Sequence, residues 1–409
     1  MNKSQLLGFR LRNFRSFYGD QAIDFRGANG TRKVTAIYGP NSGGKSNLAK
    51  AMSYLHFVIT NSNNANLFEL PQEPFLLKQG SETLPSSFEI EFTQSGKHLI
   101  YGFTATKKQV LHEYLKEFTG SKARPNSTRK IFDRKKTQLT TLSKYGFTQA
   151  LLDDTRNTAL LITRAREGNK EYVNAVFDFL KQFNILAGEL DETMGFSLKV
   201  LDESSEGSND RHDAVLELLK SADLWIRDFA IEKTKVPSEI LEMVPFNDDF
   251  KKQLSANMHS SIKTVHAVRD SDQKLIGERM LEMGTHESTG TRKFFGLAAP
   301  ILDTLANGKV LYIDEFESYL HQDMCQFLVS LFKSENNKNG AQLIINTHDT
   351  ALMGSELLDR EDIFFIEKNA AEESVITPLS GKSVRAGESF EKRYREGIYG
   401  AKPHIEVDE

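Results

Sequence analysis

The sequence has a single cysteine, Cys325, in 409 residues. No intrachain disulfide can form and no cysteine cluster can hold a metal, and its place in an apolar helical stretch predicts a buried packing role. Long apolar runs are also missing: no stretch approaches the roughly 18 residues that a bilayer-crossing helix needs. The N-terminus leads from Met1-Asn2-Lys3-Ser4-Gln5 into alternating strand-like sequence, without the apolar core and small-residue cleavage site of a secretory signal. A cytoplasmic protein with no membrane segment is expected. A strong charge bias is lacking too, because the net charge is −4, so the molecule as a whole offers no electrostatic case for nucleic acid. Sustained a/d heptads and internal repeats are absent, which argues against long coiled-coil arms.

What is present is an ordinary globular composition, 39% hydrophobic and 26% charged, in a chain long enough for two or three domains. Local charge is less even. Between Lys107 and Lys136 ten Lys or Arg residues stand against three acids, a surface that could meet phosphates of a nucleic acid or simply the solvated edge of a β-rich subdomain. Asp202 to Asp213 is acidic and rich in Ser, Gly and Asn, and its polar core, Glu203 to Asp210, reads as a loop. Period-2 alternation predicts strands at Leu7–Leu11 and Ala22–Phe25, and a buried one at Val34–Tyr38. A hairpin is expected where Phe88–Phe92 and Leu99–Phe103 flank Gln94-Ser95-Gly96-Lys97. Helical spacing follows at Leu48, Ala51, Met52 and Leu55, and again at Val215, Leu218, Leu219, Ala222 and Ile226. The α/β pattern then returns with a helix over 294–305, a strand over 310–313, a helix over 322–333 and a strand over 342–345.

The strongest motif is Gly39-Pro40-Asn41-Ser42-Gly43-Gly44-Lys45-Ser46, a complete G-x-x-x-x-G-K-S phosphate loop between a predicted strand and a predicted helix. Its glycines let successive backbone N–H groups converge on phosphate oxygens, and the helix N-terminus adds partial positive charge. Nucleotide contacts are therefore expected from Gly39, Asn41, Ser42, Gly43, Gly44, Lys45, Ser46 and Asn47, with Lys45 on the β and γ phosphates and the Ser46 hydroxyl on Mg²⁺. The cofactors implied are ATP and Mg²⁺. Val310-Leu311-Tyr312-Ile313 ends in Asp314-Glu315, as when a buried parallel strand delivers carboxylates to the sheet's carboxyl edge. Asp314 suits the Mg²⁺ shell and Glu315 the general base that polarises water. A third strand ends in His348-Asp349, where the imidazole suits a γ-phosphate sensor or a structural role. Catalytic work is thus expected of Lys45, Glu315 and His348.

Together these residues resemble the ABC-type ATPase superfamily, in the branch shared with SMC and related DNA-repair proteins. Glu287-Ser288-Thr289-Gly290-Thr291 is similar to that branch's signature, which implies that Ser288 and Gly290 contact nucleotide held by an opposite subunit. A Ser/Thr-Gly cap opening the following helix accounts for the same residues locally. Arg12-Asn13-Phe14-Arg15-Ser16-Phe17 resembles the branch's N-terminal nucleotide-meeting segment, which implies contacts from Asn13, Phe14 and Arg15, and His348 matches its switch histidine. Glu315-x-Glu317, Leu320-His321 and Phe390-x-x-Arg393-Tyr394-x-x-Gly397-x-Tyr399-Gly400-Ala401-x-Pro403 look like the stand-alone bacterial ATPases of abortive-infection operons, the RloA/AbiLi-like group. That likeness implies an antiphage sensor or gate, paired as a homodimer or higher even oligomer, acting on a nuclease-like effector encoded nearby. A DNA-repair ATPase of the SMC type is the alternative. The fold expected is an α/β ABC-type P-loop head with a mixed or parallel central sheet: an N-terminal half with β-rich subdomain over 1–130, a mostly helical insertion over 131–260, and a C-terminal half over 261–409.

Overall fold

The structure, a computed structural model, describes residues 3–28, 30–120, 127–141, 143–168, 170–202, 208–235, 258–382 and 389–401. Lys122 and Arg124 of the basic stretch, residues 203–207 of the polar loop and Pro403 of the C-terminal motif lie outside these. The chain forms two units, the first from residues 1–188, 304–318 and 325–409, the second from 189–303 and 319–324.

In the first unit β1 (Gln5–Arg12), β2 (Gln21–Asp24), β6 (Ser86–Gln94), β7 (Lys97–Ala105), β8 (Val110–Phe118), β9 (Thr128–Lys135) and β10 (Gln138–Thr141) form an antiparallel sheet in the order β10-β9-β8-β7-β6-β1-β2. The predicted hairpin is β6–β7, closed by Ser95 and Gly96 at φ 51° and 76°, the paired positive angles of a tight two-residue turn. A short ribbon, β3 (Arg26–Gly27) and β4 (Gly30–Thr31), leads into β5 (Val34–Tyr38). β5 belongs to a second sheet with β11 (Phe183–Leu186), β15 (Val310–Ile313), β16 (Gln342–Asn346), β17 (Ile363–Lys368) and β18 (Ser374–Pro378), ordered β11-β15-β16-β5-β17-β18. The first five are parallel and β18 is antiparallel. Every residue of β5, β15 and β16 is buried, as strands of largely apolar sequence covered on both faces should be. Helix α1 (Lys45–Asn61) buries its Leu48, Ala51, Met52 and Leu55 stripe in one apolar cluster that takes side chains from both sheets. Helices α2 (Gln149–Asp153), α3 (Leu161–Arg164) and α4 (Glu171–Lys181) complete this part.

The second unit holds α5 (Leu190–Asp202), α6 (Ser208–Ser221), a three-stranded antiparallel sheet of β12 (Asp228–Lys235), β13 (Met258–Arg269) and β14 (Leu275–Glu282), then α7 (Met283–His286) and α8 (Thr289–Asn307) up to Asp303. Helix α9 (Gln322–Lys333), α10 (Thr350–Gly354) and α11 (Phe390–Arg395) follow, and Cys325 is buried in α9 as expected. The α/β head with its β-rich N-terminal part matches the sequence reading; the stretch 131–260 differs from it. Residues up to 188, with β10, three helices and β11, belong to the first unit, and the remainder mixes two helices with β12 and the start of β13. Helical spacing over 215–226 overreached for a local reason: α6 ends at Ser221, and Asp223 takes φ 55°, so Ala222 and Ile226 lie beyond the helix.

Candidate nucleotide site

β5 ends at Tyr38 and the chain turns through 39–44 into α1. Gly39 has no alternative there, because a Cβ would run into the backbone carbonyl of Ile366 on β17. Gly44, at φ 118°, caps α1 in a left-handed conformation, and its missing side chain leaves room for Ser374 and Ser16. Those two hydroxyls pin the loop: Ser374 Oγ donates to the Gly43 carbonyl (2.6 Å) and shares a hydrogen bond with Ser16 Oγ (2.7 Å), which accepts from Asn47 Nδ2 (2.8 Å). The opening turn of α1 thus faces outward with N–H groups that have no intrahelical acceptor, the arrangement that receives anions.

Opposite the loop stand the ends of β15 and β16. Tyr312 Oη donates to Asn346 Oδ1 (2.8 Å), which fixes the amide so that its Nδ2 donates to Asp314 Oδ1 (2.7 Å). Glu315 follows at φ 48°, a backbone conformation that costs a non-glycine residue of order 1 kcal/mol and is typical of functional sites. Ser318 Oγ donates to its Oε2 at 3.4 Å. Glu317 Oε1 accepts from the His348 backbone N–H (2.7 Å), while its Oε2 is buried with no partner among the described residues. Lys45 Nζ donates to the Gly39 carbonyl (2.8 Å) and lies 2.8 Å from His348 Nε2. Burial lowers the Lys45 pKa to about 8, against the pull of Glu317, Asp314 and Glu315. Partial burial, then the Lys45 ammonium, lowers the His348 pKa, so the ring is neutral at pH 7 and its Nε2 accepts from Lys45.

These groups surround a cleft of about 400 Å³, in the range of small-molecule sites. Of the residues expected from the sequence, Asn41, Ser42, Gly44, Lys45, Ser46, Asn47, Asp314, Glu315 and His348 line it, and Gly39 and Gly43 shape the turn behind. The N-terminal segment needs correction. Asn13 is buried, with Nδ2 donating to the carbonyls of Ser81 and Leu84 and Oδ1 accepting from Phe75 N, so its side chain holds the 75–85 segment. Phe14 is buried against Tyr54 and Phe88 and is a core residue. Arg15 pairs with Glu73 at 2.5 Å. None of the three lines the cleft; from that segment it is Ser16 that reaches the loop. Ser288 and Gly290 belong to the second unit, where Ser288 Oγ accepts from Thr291 N (3.0 Å) as the cap of α8, and a Cβ on Gly290 would crowd the Tyr319 carbonyl.

Sequence reasoning missed Asn346, Ser374 and Ser16 as site residues. Asn346 could have been found as the polar end of an otherwise apolar strand, whereas nothing local marks Ser374, whose role arises only because β18 returns beside the loop. Among the basic residues of 107–136, Arg134 is buried with Glu113, and Arg129 and Lys130 pair with Glu117 and Asp133. Lys107, Lys108 and Lys136 are exposed in the turns at one end of the antiparallel sheet, and Lys135 is exposed at the adjoining end of β9. No helix among the described residues is long and apolar enough to cross a membrane.

A parallel sheet with a phosphate loop between its buried central strand and a helix, faced by two carboxylates and a histidine, defines a P-loop nucleotide-binding domain. Residues 34–354, well over half the chain, match the family described as "AAA domain, putative AbiEii toxin, Type IV TA system", and the chain belongs to that family. No curated protein matches it. Solved structures similar to it include an SMC head bound to the C-winged helix domain of ScpA (12% identity, TM-score 0.47, covering 95% of this chain and 99% of that one). The SMC head domain from Thermotoga maritima is similar at 16% identity and TM-score 0.41, covering 93% and 100%. An Smc head with an extended coiled coil, bound to the C-terminal domain of ScpA and derived from Pyrococcus furiosus, gives 12% and 0.40, covering 98% and 100%.

Proposed function

We propose that the chain binds ATP with Mg²⁺, hydrolyses it, and acts in the cytoplasm as a nucleotide-gated switch of bacterial antiphage defence that controls a separate, nuclease-like effector. The observation that carries the hydrolytic part is the convergence of Lys45, Asp314, Glu315, Asn346 and His348 on one cleft beside the phosphate loop. The donor set fits the cofactor: a hydroxyl from Ser46 and a carboxylate from Asp314 are the hard oxygen ligands Mg²⁺ prefers, and the glycine cradle has space only while no Cβ fills it. Bound there, Mg²⁺ would neutralise phosphate charge. Lys45 leaves the Gly39 carbonyl for the β and γ phosphates, Glu315 polarises the attacking water, and a ring N–H of His348 donates to the γ-phosphate and loses that contact when the phosphate departs. Ser288 and Gly290 meet the nucleotide of a second copy, so that a homodimer, or a higher even oligomer, holds composite sites. The defence role rests on the family's description and on the RloA/AbiLi-like resemblance of the motifs.

Phosphate release from purified protein tests the core of this reading. Glu315→Gln should lower kcat on the order of 10²–10⁴-fold, as loss of a general base does, while a fluorescent ATP analogue binds as before. Lys45→Ala should lose binding and turnover together. Wild-type turnover in either variant overturns the assignment. Phage plating on cells carrying the gene with its neighbours, with and without Lys45→Ala, tests the defence role; equal plaque counts would remove it.

A further inference from the structure

The histidine segment is held from several sides within the first unit. Thr347 N donates to the Ile37 carbonyl (3.0 Å), His348 N to Glu317, and Tyr38 Oη to the Asp349 carbonyl (3.1 Å). The next residue, Thr350, is taken by α11: Arg395 Nη2 donates to Thr350 Oγ1 (2.9 Å), and Arg395 pairs with Glu391 (2.7 Å), which also accepts from the Thr350 hydroxyl (3.4 Å). Helix α11 is itself anchored. The Tyr394 ring stacks on Phe365 of β17 (5.7 Å, 9°) and lies 5.9 Å from Tyr38, the last residue of β5 before the phosphate loop. Tyr394 Oη donates to the Ala401 carbonyl (2.9 Å), Ala401 N donates to Glu367 (2.5 Å), and Gly397 and Gly400 at φ 78° and 70° bring the chain back onto β17. The distinctive motif around 390–401 therefore folds back onto β17, and one of its polar contacts reaches the residue two places after His348.

We propose that residues 389–401 position the switch histidine: α11 clips Thr350 through Glu391 and Arg395, and so fixes the backbone that carries His348 into the cleft. This rests on the hydrolytic reading above. The side chain of Arg395 is 65% exposed, and an exposed ion pair adds little to stability, so the contact with Thr350 serves placement more than folding. A reacting group displaced by about 1 Å can lose on the order of 10²-fold in rate, which leaves ample scope for such a clip.

The test uses the full chain. Thr350→Val removes the clipped hydroxyl without changing side-chain size, Thr350→Ser keeps it, Arg395→Ala removes the donor, and Glu396→Ala alters charge at the C-terminal cap of α11. Thr350→Val and Arg395→Ala are expected to lower kcat for ATP about tenfold or more, with KM, analogue affinity and melting temperature unchanged; Thr350→Ser and Glu396→Ala should match wild type. Wild-type kcat in Thr350→Val and Arg395→Ala overturns the proposal, as does a kcat loss that comes only with lower affinity or melting temperature. If the wild-type protein releases no phosphate, the hydrolytic reading fails, and the clip is judged on the His348 imidazole signal in ¹³C-histidine spectra, assigned with His348→Ala. A shift of that signal in Thr350→Val and Arg395→Ala supports the clip; an unmoved signal overturns it.

Discussion

Lys45 is a cation held partly out of water with only carbonyls and a neutral imidazole in direct contact, and its pKa of about 8 follows from that. Phosphates would replace those partners with full negative charge and raise the pKa again. The sign is then determined. Below pH 8 the free enzyme already carries the proton, so binding takes up none and affinity is flat; above pH 8 each binding event takes up as much as one proton, and affinity falls by up to about tenfold per pH unit. Calorimetry of ATP-analogue binding to Glu315→Gln at pH 9, in buffers of different ionisation enthalpy, should show uptake that vanishes at pH 6.5. Equal proton uptake at both pH values would show that Lys45 is not the group that titrates on binding. Asn346 works at the same scale: it accepts from Tyr312 and donates to Asp314, so an aspartate there would put two carboxylates together where a donor is needed.

The phosphate loop is an element with a wall behind it, the Ile366 carbonyl of β17, and that wall leaves no room for a side chain at Gly39. Gly39→Ala should cost about 1–3 kcal/mol, the usual penalty of overpacking, since a backbone carbonyl cannot turn aside as a side chain can. Urea denaturation measures it, and an unshifted midpoint would mean that β17 yields easily. The loop, its strand and its helix were legible in the sequence because the signal is contiguous: apolar strand, glycines, Lys45, then the Leu48–Leu55 stripe. The Asp314 and His348 ends were legible for the same reason. Three things were not. The side chains of Asn13 and Phe14 turn inward because the 13–18 turn is fastened to residues 73–86, a long-range fact with no local mark. The three-stranded sheet hid because β12 and β13 pair across a stretch of more than twenty residues. Ser374 acquires its role only through the antiparallel return of β18.

For the molecule as a whole, the composite sites proposed above predict pairing by nucleotide. Glu315→Gln with ATP and Mg²⁺ should run in light scattering at twice its nucleotide-free mass, because a ligand that binds only the pair drives association. Adding Gly290→Arg should reverse this, with circular dichroism as a check, since any Cβ at 290 also presses on the Tyr319 carbonyl. Unchanged mass in every state would leave the cleft but remove the pairing. The sheet order has a consequence for how the protein is made. β5 sits between β16 and β17, so both of its neighbours are synthesised some three hundred residues after it. A ribosome that has released only the first half of the chain displays a strand that the fold buries throughout, with neither edge covered, a liability during slow, long-range folding. The phosphate loop, too, has no rear wall until β17 emerges, so the strand that carries the loop and the wall behind it come together only after residue 366 has been made.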